Sequence, residues 1–200
     1  MGELSTITFQ VAEKDRVYTG VELRPHFLLS EMGLRGSGIG VFVGPCQVKT
    51  EHLVDWEDRL AHDRIEARQM IHFIGEFFGM SLNEGVLTQR FFMASLMDVM
   101  NELFESQSRP ERLNRTGDDL WFGRDESTRR KLSVSIVTAT PVSVLMHVGI
   151  NIDPAGAPVP AIGIAELGLK PEQVISRLKE RFSKEWTDMK WACTKVRPMV

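Results

Sequence analysis

Two hundred residues are enough for one domain spanning 1–200, and at this length a chain buries roughly 70% of its unfolded surface without a metal or disulfide staple. With 42% hydrophobic and 26% charged residues, 16 Gly and 9 Pro, the composition excludes a disordered, collagenous or low-complexity chain. Twenty-four Lys and Arg against 27 Asp and Glu leave a net charge of −3, which offers nucleic acid no global positive field, and two cysteines make no disulfide framework.

From the N-terminus, residues 1–15 contain neither a basic n-region nor an apolar h-region. Gly2 followed by Thr6 fits only the loose myristoylation pattern that many chains match by chance. Residues 7–13 and 16–23 read as two strands, with Lys14-Asp15 as a hairpin turn and Pro25 ending the second. Phe27 to Met32 is a helical turn or a connector. Residues 33–45 form a glycine-dense run leading into an apolar strand.

Apolar residues at Leu60, Ile65, Met70, Ile71, Ile74, Phe77 and Phe78 fall near a 3.6 period and predict a helix over 55–78, stopped by Gly79. Ser81 to Glu84 caps a second helix, 84–105, apolar around much of its circumference. Residues 106–117 read as a loop. Strands follow at 118–125, 131–140 and 142–153; the last holds the most apolar stretch, Val142 to Ile150, about half the length of a bilayer span. A turn at 154–158 and a short edge or connector precede a closing helix, begun by Pro171 and running to about Trp191. This order lacks the regular alternation of a doubly wound fold and predicts an α+β class: a mixed, largely antiparallel sheet backed by helices. A cytoplasmic protein with no membrane or nucleic-acid partner is the plain expectation.

Three fragments could carry chemistry. In Arg35-Gly36-Ser37-Gly38-Ile39-Gly40, bare backbone lets N–H groups approach a phosphate or an acyl chain, and Arg35 supplies a fork for an anion; a glycine-rich bend in a crowded sheet is the plainer reading. Asp118-Asp119-Leu120 precedes Lys131-Leu132-Ser133, and on a hairpin Asp119 and Lys131 can lie close together. A carboxylate pair can hold Mg²⁺ on a nucleotide, and a lysine at the head of an apolar strand can stabilise a developing oxyanion. His147-Val148-Gly149-Ile150-Asn151-Ile152-Asp153 is an apolar strand ending in polar groups.

In this order the fragments resemble the biotin and lipoate protein ligase superfamily, whose members carry an arginine and glycine-rich strand start, an acidic pair before a turn, a lysine-led strand and a His-Gly…Asn-x-Asp strand. Over nearly its whole length the chain also resembles the prokaryotic family described as domain of unknown function 366, through Gly44-Pro45-Cys46, Glu51 to Asp58 and Lys131 to Ser143. The resemblance implies a ligase-like, class II synthetase-like fold with an acyl-nucleotide pocket on the open side of its sheet. It implies that Lys131 contacts the substrate carbonyl and α-phosphate, that Asp118 and Asp119 lie by nucleotide and metal, and that Arg35, Gly36, Ser37, Gly38, Gly40, Ser133, His147 and Asn151 line the substrate site. ATP and Mg²⁺ are the implied cofactors. Two positions depart from the ligase pattern: Ile39 and Val134 stand where the ligases keep glycine.

A second polar concentration runs from Cys46 through His52 and Asp55 to Asp63. Its spacing matches no standard metal finger, and Asp55, Glu57 and Asp58 suit a helix N-terminus. Cys46 could alternatively act as an acyl-accepting thiolate. His72 reads as a core histidine. Trp186 and Trp191 could anchor a homodimer or pack onto the sheet. The expected function is activation or transfer of a small carboxylic acid, and the alternative is a non-catalytic protein that binds a nucleotide or small acid.

Overall fold

The computed structural model describes residues 6–199; Gly2 lies outside them. The described residues form eight strands: β1 (Thr8–Val11), β2 (Gly38–Val48), β3 (Ile65–Phe78), β4 (Leu113–Thr116), β5 (Asp119–Phe122), β6 (Arg130–Lys131), β7 (Ser133–Ala139) and β8 (Ser143–Asp153). The helices are α1 (Phe27–Met32), α2 (Trp56–Leu60), α3 (Leu82–Ser106) and α4 (Pro171–Thr194), with a 3₁₀ turn at Thr50–His52. The main sheet has the order β1-β2-β3-β8-β7, antiparallel except for the β1–β2 pair, and β4-β5-β6 form a smaller sheet. This is the mixed, largely antiparallel α+β class expected.

The two long helices form where local signals agree. Ser81 and Glu84 close a reciprocal capping box at the start of α3, and Pro171 occupies the first turn of α4, where its missing N–H costs nothing. Both pack on one face of the sheet. Phe92 of α3 meets Phe73 of β3 edge to face at 5.3 Å and Phe182 of α4 at 5.0 Å. Ile71, Met146, Val148 and Ile150 complete that core from the sheet side. Trp186 is buried there against Phe77, whereas Trp191 is exposed. The opposite face carries a smaller apolar cluster of Tyr18, Leu28, Leu34, Phe42, Cys46, Met70 and Ile74, covered by residues 18–34 and 48–53.

The structure corrects two predicted elements. Residues 65–78 form the central strand of the sheet, not a helix; only Trp56–Leu60 of the predicted 55–78 helix is helical. A strand covered on both faces loses the alternation of a half-buried one, and its apolar residues then mimic any period. The predicted hairpin over 7–23 is the second correction. β1 lies parallel to β2, and the chain continues along the same edge instead of reversing at Lys14-Asp15. Amides of Ala12, Arg16 and Tyr18 donate to the carbonyls of Val41, Val43 and Pro45 at 2.8–2.9 Å. The polar pair marks an exposed bend, not a turn. A smaller departure is β4, inside the predicted loop 106–117, joined to β5 through Gly117 at φ 63°.

Candidate functional site

On the face away from α3 and α4, a cleft of about 360 Å³ opens between the ends of β2 and β3, the β7–β8 pair and the loop 157–161. That volume suits a small molecule. The floor is formed by Tyr18, Met70, Val134 and His147, and the rim by Asp55, Asp58, Asp118, Asp119 and Lys131.

Lys131 lines the cleft from the end of the two-residue β6. It is held by the Pro160 carbonyl accepting from its amide at 2.9 Å and by the Asn151 side-chain amide donating to its own carbonyl at 3.2 Å. Its Nζ lies 2.9 Å from Asp119 Oδ2, both side chains about one quarter exposed. This is the proximity the hairpin reading anticipated. Burial raises the Asp119 carboxyl above the usual carboxylate range even though Lys131 opposes the shift. Burial also raises Asp58, with the nearby charges of Asp55 and Asp63 adding to the effect. Around Lys131 the cleft is therefore rich in carboxylates.

Asp118 is differently placed. Burial would raise its pKa, but Arg90 and the Ser135 hydroxyl outweigh burial and hold it below the usual range. Its Oδ2 accepts from Gln89 Nε2 and Ser135 Oγ, both at 3.0 Å, while Oδ1 pairs with Arg90. Asp118 thus ties β5 to α3 and β7. With Asp118 engaged in this way and Asp119 paired to Lys131, the two carboxylates do not fit a resident Mg²⁺ site. Ser133 is fully buried, and its hydroxyl accepts from the Leu120 amide at 2.8 Å, tying the start of β7 to β5.

Lys131, Asp118, Asp119, Ser133, His147 and Asn151 thus line one cavity, although they come from two of the three fragments, separated in sequence. The glycine-rich fragment does not join them. Gly38 pairs with Glu76, six residues along β3 from Met70, or about 20 Å at a strand's rise per residue. A Cβ on Gly38 would stand 2.7 Å from Leu34 Cδ2, and one on Gly40 would stand 2.6 Å from Leu28 Cδ2 and closer still to Met32 Sδ. The bare backbone there is covered by the chain's own α1 and by Leu34 just beyond it. Ser37 Oγ accepts from the Phe78 amide at 3.0 Å, Gly36 turns at φ 77°, and Arg35 is exposed.

Cys46 also lies outside the cleft lining. It is fully buried, and burial pushes its thiol up to about 12, which is far from a reactive thiolate. Its polar neighbours His52, Asp55, Asp58 and Asp63 do line the cleft, and Asp55 and His52 each have a local role as well: Asp55 accepts from the Glu57 and Asp58 amides as the cap of α2, and His52 Nδ1 meets the Thr19 carbonyl at 3.1 Å. Among the described residues no cluster of three or more His, Cys, Asp or Glu side chains is placed to hold a metal ion.

Of the floor, sequence reasoning names His147 but misses Tyr18 and the His72 ring behind it. His72 was expected on a helix, but on β3 it faces His147, its Nδ1 3.1 Å from His147 Nε2. Tyr18, the one tyrosine in the chain, stacks on the His147 ring at a centroid distance of 3.8 Å. The signal available was compositional: a lone tyrosine and two histidines in otherwise apolar strands.

Known proteins share this architecture. A solved protein of unknown function from Pyrococcus horikoshi is 31% identical, with 98% of this chain and 100% of that one covered and a TM-score of 0.85. The biotin protein ligase of Aquifex aeolicus has the same fold at 13% identity, TM-score 0.54, over 94% of this chain and 72% of its own. The fold is therefore that of the biotin/lipoate ligases. The uncharacterized protein MJ0805 of Methanocaldococcus jannaschii is 31% identical over 195 residues, spanning 94% of this chain and 83% of that protein. A family model described as domain of unknown function (DUF366) matches residues 7–197, and the chain belongs to that family.

Proposed function

We propose that this protein activates or transfers a small carboxylic acid held in the cleft between Lys131 and His147. The observation that carries the proposal is the Lys131–Asp119 pair at the cleft wall, 2.9 Å apart and partly screened from water. An incoming carboxylate would displace Asp119 as the partner of Lys131, and the ammonium would then neutralise charge developing on the acyl oxygen. Asp119 suits such an exchange because its carboxyl already sits above the usual range, so its hold on the lysine is the more easily given up. Asn151 positions the lysine by donating to its carbonyl, Ser133 ties the start of β7 to Leu120 of β5, and Asp118 anchors the strand beside it. ATP enters this reading as a co-substrate for activation.

Two observations favour a second reading, a binding protein without catalysis. Leu28, Met32 and Leu34 occupy the space over the glycine-rich strand, and carboxylates outnumber cations around the cleft. The deciding experiment is ATP–pyrophosphate exchange with Mg²⁺ and pooled biotin, lipoate, short and medium fatty acids and amino acids. Exchange that falls at least about 100-fold in Lys131→Ala supports catalysis, since only an interaction stronger in the transition state affects turnover in this way. Absence of exchange, with retained binding of an acid by calorimetry, favours the binder.

A further inference from the structure

The cleft floor contains a hydrogen-bond chain whose direction is fixed from its buried end. His72 Nε2 lies 3.2 Å from the Gly44 carbonyl oxygen. That oxygen can only accept, so Nε2 carries the hydrogen and Nδ1 of the neutral His72 ring is a lone pair. His147 Nε2, 3.1 Å from that lone pair, must in turn carry its own hydrogen. What remains is His147 Nδ1, an acceptor with no partner among the described residues, on a ring that is 2% exposed and lines the cleft.

The surroundings keep both rings uncharged. Tyr18 stacks on both histidines, Phe42 packs on His72 at 5.0 Å, and Met70 and Val134 approach Gly149 beside the His147 Cε1. Cys46, the nearby thiol, is held protonated by burial. Burial lowers His72 to about 4 and, together with the His72 ring, holds His147 well below its ordinary value.

We infer that His72 is a specificity-determining positioning residue: it locks His147 as a pure hydrogen-bond acceptor, so that the cleft selects ligands whose inner end carries an O–H or N–H donor. This deepens the proposed function, resting on its choice of cleft, but it does not depend on the ligand being an acid. An inner end without a donor would leave a buried acceptor unpaired, which costs on the order of a tenfold loss of affinity.

The test uses neutral probes and so separates this inference from acid activation. Nitrogen-15 spectra of the histidine rings should show His72 and His147 both as the Nε2–H tautomer from pH 5 to 8. In NMR titrations cyclohexanol should shift the His147 Nδ1 signal and bind about tenfold more tightly than cyclohexanone, which has nearly the same shape but no donor. His72→Phe removes the lock and should reduce the preference to within about twofold. His72→Gln should retain it, since its amide can donate to Gly44 and accept from His147. A hydrogen on His147 Nδ1, equal affinities in the unaltered protein, binding of neither probe, or loss of the preference in the Gln variant would overturn the inference. Failure of exchange in the Lys131 experiment would leave it standing.

Discussion

Mild acid should destabilise this protein through its buried histidine pair. Burial lowers His72 from an ordinary 6.5 to about 4, and His147 also lies well below 6.5, for the same reason and because its neighbour opposes a second charge. Both rings therefore bind a proton more readily in the unfolded chain. Above pH 6.5 neither state is charged and nothing is lost. Between 6.5 and 4 the unfolded chain takes up protons that the folded one refuses, so stability falls throughout that window and levels off below it for His72. At pH 5 His72 alone accounts for about 2 kcal/mol, a large share of the 5–15 kcal/mol by which domains are commonly stable, and His147 acts in the same direction. Urea unfolding at pH 7 and pH 5 measures the loss, with His72→Gln as the control. The variant should show a drop smaller by about 2 kcal/mol, because it has one titrating ring fewer. An identical drop in both proteins, or a His72 ring that titrates near 6.5 by NMR, would refute the reasoning.

Three further outcomes are expected. Native protein treated with iodoacetamide at pH 8 should be alkylated at exposed Cys193 and spared at buried Cys46, with both labelled after denaturation; rapid native labelling of Cys46, read by peptide mass, would reopen its candidacy as a nucleophile. Gly40→Ala should cost about 1–3 kcal/mol of stability by forcing Leu28 and Met32 aside, while leaving ligand affinity at the cleft unchanged. Loss of affinity without loss of stability would instead make the glycine-rich strand part of the binding site. Asp119→Asn should change stability by less than about 1 kcal/mol, because the pair is partly exposed, and should tighten binding of an anionic acid severalfold by removing the competing carboxylate from Lys131. Weaker binding measured by calorimetry would argue against Lys131 as the carboxylate anchor.

The legible parts of the sequence were those where a local signal suffices. The Ser81–Glu84 box, Pro171 and the unbroken run from Ser143 to Asp153 each specify an element through neighbours in the chain. The Asp119–Lys131 pairing was legible as well, because a short antiparallel connection brings the two ends of the segment together. β3 was not. Its pattern, Ile65 to Phe78, encodes burial on two faces by partners some 20 to 80 residues away, and no local period distinguishes that from a buried helix. The same blindness hid what surrounds the predicted His147, since Tyr18, His72 and His147 meet only after three distant segments are laid across one another. The glycine-rich fragment shows the opposite failure. Its backbone is bare, as a ligand cradle would require, but bare backbone equally accommodates a helix, and only α1 in place reveals which use applies.

The position of β3 has a consequence for synthesis on the ribosome. One edge of this strand is covered by β2 as soon as it emerges, but the other waits for β8, whose last residue, Asp153, comes about 75 positions after Phe78. At about 5–20 residues per second the nascent chain spends roughly 4–15 s with an unpaired edge bounded by Ile71, Phe73, Ile74 and Phe77. Within that interval α3, complete about 28 positions after Phe78, is the long apolar element of the described residues able to shield the face of the strand. The order in which the gene writes its segments thus sets a period of exposure in which a chaperone, or a second nascent chain, competes with β8 for the same row of amides.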